Sequence, residues 1–288
     1  MARLCRRGHC ELEVNRLRLL LALCAAALLC LPASALAILG GQADGDAHPY
    51  VAFVGQLGAP RNACTGTLVA PTVVVTAAHC GTTPGEPMAV IFGENRRAVP
   101  PNEWHFGSFL PDPRFCAGCG EGLDGAVTHD VAVILLERPA PGPYARLPER
   151  NAFYRLGGSR WKELTLVGYG VEAFRADGVP LPPSGLRTRA GVEAKTSRSH
   201  EFLKLTTHTF RGMGAACFGD SGGPNLAGDI VLAINSVGDN QCQGNTYSYR
   251  LDTKDALQFL GQYVAVSDAG GETGQWEADA LAHQPDVP

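Results

Sequence analysis

The chain has 288 residues, enough for one or two domains with a full hydrophobic core. Charged residues make up 18% of it, and it contains 35 glycines and 20 prolines, a composition typical of a turn-rich, all-β globular protein. The net charge is -4, and a net negative protein does not attract polyanions through its overall charge. This argues against nucleic acid or an anionic membrane surface as a partner.

The N-terminal segment has the order of a secretory signal peptide. Five arginines precede the uncharged, mostly apolar run Leu19–Leu31, and a small-residue run follows at 32–37. The apolar run is shorter than the roughly 20 residues that a membrane-spanning helix needs, so a permanent membrane anchor is the weaker interpretation. Cleavage after Ala35 or after Ala37 fits the pattern. We therefore expect residues 1–37 to be a signal peptide and the protein to be secreted or periplasmic.

Strands dominate the prediction for residues 48 to 252. Short apolar runs are separated by glycine and proline, with no sustained 3.6-residue periodicity, as in a β-sandwich or β-barrel. Pro-rich segments at 139–143 and 179–183 are predicted loops, and a linker between two β halves is expected near 139–150. The predicted strands are Tyr50–Val54, Gly66–Ala70, Val73–Thr76, Ala89–Phe92, Val131–Leu136, Leu164–Val167, Phe202–Thr206, Ile230–Asn235 and Tyr247–Leu251.

The C-terminal region is predicted to contain one helix and a tail. Between Asp252 and Val264 the apolar residues recur with helical spacing after an Asp or Thr cap. Residues 267–288 carry five acidic side chains, no basic ones and little apolar content. We expect 265–288 to be an acidic disordered tail.

Three short segments carry candidate chemistry. His79 ends an apolar run in Thr-Ala-Ala-His-Cys at 76–80, Asp130 stands at the start of a buried strand, and Ser221 lies within Gly-Asp-Ser-Gly-Gly-Pro at 219–224. Each segment alone is more often structural, because His, Asp and Ser are common at strand ends and turns. Together they match the chain order His, Asp, Ser of the chymotrypsin-type triad.

On these residues the sequence resembles the trypsin/chymotrypsin-like serine protease family over roughly residues 38–264. Ile-Leu-Gly-Gly at 38–41, Cys-Thr-Gly-Thr-Leu at 64–68 and Ser-Val-Gly at 236–238 also carry the resemblance. It implies two six-stranded Greek-key β-barrels followed by a C-terminal helix, with the site in the cleft between the barrels. This agrees with the many short strands predicted above.

The resemblance implies a role for each residue of the three segments. His79 takes the proton of Ser221 and later passes it to the leaving amine. Asp130 fixes the tautomer of His79 and stabilises its imidazolium form. The backbone N–H groups of Gly219 and Ser221 form the oxyanion hole.

The same resemblance places the substrate-binding residues. Ser236 matches the residue that hydrogen-bonds the buried Asp, and the 236–238 run pairs with substrate backbone. Ala215 stands at the floor of the primary pocket with Ala216 beside it, and Gly238 and a residue near Thr246 form the walls. A cationic side chain would be buried there without a counter-charge, so we expect small to medium apolar P1 residues.

Activation in the family depends on a new N-terminal ammonium paired with the Asp before the catalytic Ser, here Asp220. Residue 37 is Ala, so activating cleavage after a basic residue is not available at this site. We expect signal peptidase to free Ile38 directly by cutting after Ala37. The competing cut after Ala35 leaves two residues that require trimming.

Six cysteines follow residue 37, an even number that suits disulfide bonds. The resemblance implies the pairs Cys64–Cys80 and Cys217–Cys242. Cys116 and Cys119 have the C-x-x-C spacing of a redox site or half a zinc site, but no second pair accompanies them. A local Cys116–Cys119 disulfide is favoured in an exported loop, and we expect neither a metal nor a cofactor.

The sequence thus predicts a secreted serine endopeptidase that forms an acyl-enzyme at Ser221. Protein or peptide substrates and protein inhibitors are the expected partners, and the expected oligomeric state is a monomer. The alternative is a non-catalytic binding protein on the same scaffold, which uses the cleft or the acidic tail to hold a partner. That alternative gains weight if His79 and Ser221 cannot approach hydrogen-bond distance.

Overall fold

The computed structural model describes residues 38–57, 63–119, 127–157, 161–197, 199–206, 213–243 and 246–266. The expected signal peptide and residues 267–288 of the expected acidic tail lie outside the described residues. Within these ranges the regular structure is mainly antiparallel β-sheet, as the composition predicts.

The first half of the chain forms a closed six-stranded antiparallel barrel in the order β2-β3-β4-β7-β6-β5. The barrel closes because β5 pairs with β2 as well as with β6. Its valine-rich strands suit a curved sheet with one face packed inward. The strands are β2 (Val51–Gln56), β3 (Ala63–Ala70), β4 (Val73–Thr76), β5 (Pro87–Phe92), β6 (His105–Pro111) and β7 (Ala132–Leu136).

The second half forms another six-stranded antiparallel barrel in the order β9-β10-β13-β12-β11-β8, closed by pairing of β8 with β9. A two-residue strand, β1 (Gln42–Ala43), pairs with Thr188 and Arg189 at the start of β9. The barrel strands are β8 (Lys162–Gly168), β9 (Thr188–Thr196), β10 (Phe202–Leu205), β11 (Pro224–Ala227), β12 (Ile230–Val237) and β13 (Thr246–Arg250).

All nine predicted strands are present, with ends that differ from the prediction by at most three residues. Four strands were not predicted: β1, β6, β9 and β11. The predicted helix is α2 (Lys254–Leu260), whose cap Thr253 accepts a hydrogen bond from Ala256 N at 3.3 Å. A short helix, α1 (Ala152–Arg155), was also missed. No helix among the described residues has the length and apolar character needed to cross a membrane.

Hydrogen bonds from two residues tie the barrels together beside the cleft. The hydroxyl of Tyr169, just after β8, lies 3.2 Å from Val51 O and 2.5 Å from Gly93 O in the first barrel. Thr65 of β3 donates from its hydroxyl to Gly219 O at 2.9 Å. The loop that carries Ser221 is therefore anchored to the opposite barrel.

A buried ion pair fixes the N-terminal segment to the rest of the domain. The guanidinium of Arg187 donates from Nε to Asp44 Oδ2 at 2.7 Å, and neither side chain is exposed by more than 1%. His48 Nδ1 lies 2.6 Å from the other carboxylate oxygen of Asp44. Although burial alone raises it, His48 and Arg187 hold the pKa of Asp44 below its usual value.

Three disulfide bonds are present: Cys64–Cys80, Cys116–Cys119 and Cys217–Cys242. The first and third close loops of 16 and 25 residues, for which loop entropy gives about 3 kcal/mol of stabilisation each. Disulfide-rich domains are typical of oxidising compartments.

Candidate active site

The turn that carries Ser221 requires glycine on both sides. Gly219 and Gly222 have φ angles of 98° and 74°, in the left-handed region that residues with a Cβ rarely adopt. A Cβ on Gly222 would also lie 2.6 Å from Thr65 O. The carbonyl of Ser221 accepts from Thr65 N at 2.8 Å, and Gly222 N donates to Asn235 O at 2.8 Å. The turn is thus held between β3 and β12.

His79 and Asp130 meet because their strands are antiparallel neighbours. Thr76 at the end of β4 pairs with Ala132 at the start of β7, so the residues just beyond the two ends lie side by side. His79 lies in a 3-10 helix, Ala78–Cys80. Its Nδ1 is 2.8 Å from Asp130 Oδ2, and its backbone N–H donates to Asp130 Oδ1 at 3.0 Å. The His79 side chain is 33% exposed, whereas that of Asp130 is 4% exposed.

Asp130 is a buried carboxylate stabilised in its charged form. Ser236 at the end of β12 donates its hydroxyl to Asp130 Oδ2 at 2.5 Å. Although burial on its own raises the pKa of Asp130, the charge and hydrogen bonds of His79 and the hydroxyl of Ser236 hold it below its usual value. The carboxylate can therefore orient the imidazole through Nδ1 and leave Nε2 facing away from it.

His79 and Ser221 line one cavity of about 290 Å³. Of the predicted pocket residues, four also line it: Ala216, Ser236, Gly238 and Thr246. Ala215, the predicted floor residue, is fully buried directly before the lining residue Ala216. Its backbone pairs with Leu39 at N–O distances of 3.0 Å in both directions.

The size of this cavity is limited by Thr246. A Cβ built on Gly238 would lie 3.5 Å from Thr246 Oγ1, so the two walls are close together. The carboxylate of Asp239 also lines the cavity, but Asp239 is exposed and its Oδ1 accepts from Gln241 N at 2.9 Å. Phe218 is half exposed at the rim.

The backbone N–H groups of Gly219 and Ser221 donate no hydrogen bond to any residue in the described ranges. The carbonyl of Gly219 is instead engaged by Thr65, which fixes the orientation of the peptide. Two such N–H groups beside a cavity can donate hydrogen bonds to a negatively charged oxygen of a bound molecule.

Asp220 is fully buried and accepts hydrogen bonds from Gly170 N at 2.8 Å and Cys217 N at 2.9 Å. No Lys, Arg or His of the described part of the chain pairs with it. Burial raises the pKa of Asp220 to about 7. Ile38 is also fully buried, against Ala190 and the other apolar residues of the second barrel's core.

One group of three candidate metal ligands occurs among the described residues: Cys64, His79 and Cys80. The two sulfur atoms form a disulfide bond with each other, so neither is available as a thiolate ligand.

A family model described as Trypsin matches residues 38–259. The chain belongs to the trypsin family. The match begins at Ile38 and contains all three segments that carry His79, Asp130 and Ser221.

Solved structures with the trypsin-family fold share the fold of this chain. Human heparin binding protein is 16% identical with a TM-score of 0.60, and the match covers 81% of this chain and all of that one. A protein titled GrC is 19% identical with a TM-score of 0.59, and the match covers 85% of this chain and all of that one. These likenesses establish the chymotrypsin-like fold of two six-stranded antiparallel barrels.

Sequence reasoning missed three residues that position the site. Thr65 lies in the Cys-Thr-Gly-Thr-Leu segment that carried the resemblance, but its hydroxyl contact with Gly219 has no local pattern. Tyr169 joins the barrels through its hydroxyl. Asn235 Nδ2 donates to Asp220 O at 3.0 Å from the position just before Ser236. For Asn235, the sequence offered one indication: a polar side chain in an otherwise apolar strand needs a hydrogen-bond partner when it is buried.

Proposed function

We propose that the protein is a secreted serine endopeptidase that hydrolyses peptide bonds through an acyl-enzyme at Ser221. The observation that carries the proposal is the shared cavity, in which Ser221 lies with a histidine already hydrogen-bonded to a buried carboxylate. A serine hydroxyl needs such a base at neutral pH. Membership of the trypsin family supports a protein substrate.

The proposed chemistry assigns one proton path. His79 accepts the proton of Ser221 as the hydroxyl oxygen attacks the scissile carbonyl, and Asp130 stabilises the resulting imidazolium. The oxyanion is bound by the N–H groups of Gly219 and Ser221. His79 then protonates the leaving amine, and water resolves the acyl-enzyme by the same steps in reverse.

We propose that the enzyme is activated by the ammonium of Ile38. A fully buried carboxylate without a cationic partner is costly, and an ammonium is the group that would stabilise Asp220 as an anion. Burial of Ile38 and pairing of Leu39 with Ala215 support placing the new N-terminus close to this carboxylate. Because Asp220 directly precedes Ser221, this pairing would order the oxyanion hole.

The proposed P1 preference is for small to medium apolar side chains. The close approach of Thr246 to Gly238 supports a limit on size, and Ala216 offers no charge. The carboxylate of Asp239 is exposed and already accepts backbone hydrogen bonds, so it is a poor counter-ion for a buried Arg or Lys.

Processing and export complete the proposal. Residues 1–37 are the signal peptide, 38–264 the protease domain and 265–288 an acidic tail of a monomeric, secreted or periplasmic enzyme. Protein inhibitors are further expected partners.

Cleavage-site mapping tests the proposal. An unfolded protein is incubated with the purified enzyme, and new N-termini are identified by mass spectrometry. We expect cuts after Ala, Val and similar residues, lost on the order of 10⁴-fold or more in Ser221→Ala. An absence of cuts would favour a non-catalytic binding protein, and cuts mainly after Arg or Lys would contradict the P1 assignment.

A further inference from the structure

A second cavity, of about 250 Å³, adjoins the one that contains Ser221. The two cavities share His79, Ser236 and Val237. The far wall of the second cavity consists of Phe115, Cys116 and Ala117, in the turn that follows β6. The proposed chemistry does not use this turn.

The position of the cavity relative to β12 indicates what it receives. A substrate paired with residues 236–238 in an extended conformation points successive side chains to opposite faces. If the P1 side chain occupies the cavity beside Gly238 and Thr246, the P2 side chain points to the other face of the pairing strand. The second cavity lies there, against Val237 and the imidazole of His79.

The far wall is held by a small disulfide ring and a few backbone contacts. Cys116 N donates to Thr128 O at 3.0 Å, and Cys119 N donates to Cys116 O at 3.3 Å. The Cys116–Cys119 bridge encloses two residues, so it restrains the unfolded chain less than the longer loops of the other bridges do. Its main effect is on the local shape of the turn, which includes the lining residue Cys116.

This bridge is also the most accessible of the three. Cys119 is exposed and Cys116 is partly exposed, whereas the cysteines of the other two bridges are buried. Thiol–disulfide exchange requires in-line access of a thiolate to one sulfur atom. An external dithiol can attack Cys119 Sγ, which releases Cys116 as a thiolate that takes up a proton. The second thiol of the reagent then attacks the mixed disulfide and releases Cys119 as a thiolate, which also takes up a proton. The reagent leaves as a cyclic disulfide, so the protein bridge is reduced by two electrons and the reagent is oxidised by two.

We infer that the disulfide-closed turn at 116–119 is the outer wall of the P2 subsite, and that opening this bridge with a dithiol changes P2 selectivity. The inference rests on the proposed peptidase activity. It assigns the C-x-x-C pair to substrate selection rather than to metal binding.

The test uses peptide substrates with Ala at P1 and either Leu or Gly at P2. The kcat/KM ratio of the two is measured for the secreted protein, for the Cys116→Ser/Cys119→Ser double variant, and after mild dithiol treatment. Fluorophosphonate labelling of Ser221 counts the competent enzyme in each sample. Gly118→Ala is the matched control, because a Cβ there contacts nothing within 4 Å and the bridge remains.

We expect the Leu/Gly ratio to fall about tenfold in the double variant and after dithiol treatment, and to stay within about twofold in Gly118→Ala. Alkylation and mass spectrometry should find Cys116 and Cys119 modified before the other cysteines. If the double variant does not fold, the dithiol-treated protein supplies the same ratio.

Two results would overturn the inference alone: an unchanged ratio in labelled enzyme whose bridge is open, or earlier reduction of another bridge. Failure of the untreated protein to label or to cleave either peptide would instead overturn the proposed function, and the inference with it.

Discussion

Retention of residues 36 and 37 should make the protein less stable at alkaline pH than the form that begins at Ile38. In the extended form Asp220 has no cationic partner among the described residues, and burial raises its pKa from 3.8 to about 7. In the form that begins at Ile38, the ammonium pairs with the carboxylate and keeps it ionised. The two forms then differ in how many protons the folded state binds.

The sign and size of the effect follow from linkage. Between pH 3.8 and about 7, the folded extended form keeps a proton on Asp220 that the unfolded chain has released. Its free energy of unfolding therefore falls as the pH rises through this window, by about 1.4 kcal/mol for each pH unit. Above this window the free energies of unfolding of the two forms differ by about 4 kcal/mol. The difference disappears as the pH falls toward 3.8, the pKa of Asp220 in the unfolded chain.

Urea unfolding of the two forms measures this difference. Both carry Ser221→Ala so that neither digests itself, and each is unfolded across the pH range from about 4 to about 8. Asp220→Asn in both forms is the control, because an amide does not titrate and should remove the pH-dependent difference. Equal free energies of unfolding for the two forms at about pH 8 would refute the pairing of Ile38 with Asp220.

Three further substitutions test other parts of the account. Ser236→Ala removes the hydroxyl that donates to Asp130 and should lower kcat/KM on a chromogenic peptide by about tenfold, since hydrogen bonds to charged groups are strong; an unchanged rate would contradict this positioning role. Thr246→Gly widens the P1 cavity and should raise the kcat/KM of a P1 Phe substrate relative to P1 Ala by about tenfold; the assignment fails if the ratio does not move. Asp44→Asn leaves a buried arginine without its counter-charge and should lower the free energy of unfolding by about 3–5 kcal/mol. As a control, Asp177→Asn breaks the exposed ion pair between Asp177 and Arg175, whose side chains are both more than half exposed. It should change the free energy of unfolding by less than about 1 kcal/mol in the same urea titration.

The sequence was most informative where chemistry depends on a short run of residues. His79, Asp130 and Ser221 lie in segments whose composition is unusual, and the structure brings the first two into direct contact and places the third in the same cavity. The strands with strong valine and leucine runs, such as Val73–Thr76, were also predicted to the residue or nearly so.

The missed strands have weak patterns for identifiable reasons. In β9 the buried positions alternate with polar ones, but three of them are Thr188, Ala190 and Ala194, which give little apolar signal. In β6 the run is broken by Gly107, which a side chain could not replace because its Cβ would lie 2.8 Å from Ile134 Cγ2. In the sequence pattern, this glycine therefore looked like part of a turn, although it is needed because the neighbouring strand packs closely against it.

The parts of the site that could not be predicted depend on long-range contacts. The pairing of Ala215 with Leu39 joins positions that are 176 residues apart in the chain. The bond from Thr65 to Gly219 also joins distant segments. No local pattern encodes either contact, because each is set by how the two barrels close.

The most direct test of the central claim is covalent labelling of the secreted protein with a fluorophosphonate probe. Labelling at Ser221 requires the nucleophile, its base and the oxyanion hole to be assembled at the same time. The account predicts stoichiometric labelling that is lost in Ser221→Ala and strongly slowed in His79→Ala. A folded protein that begins at Ile38 and does not label would contradict it and would leave a binding protein on a protease fold.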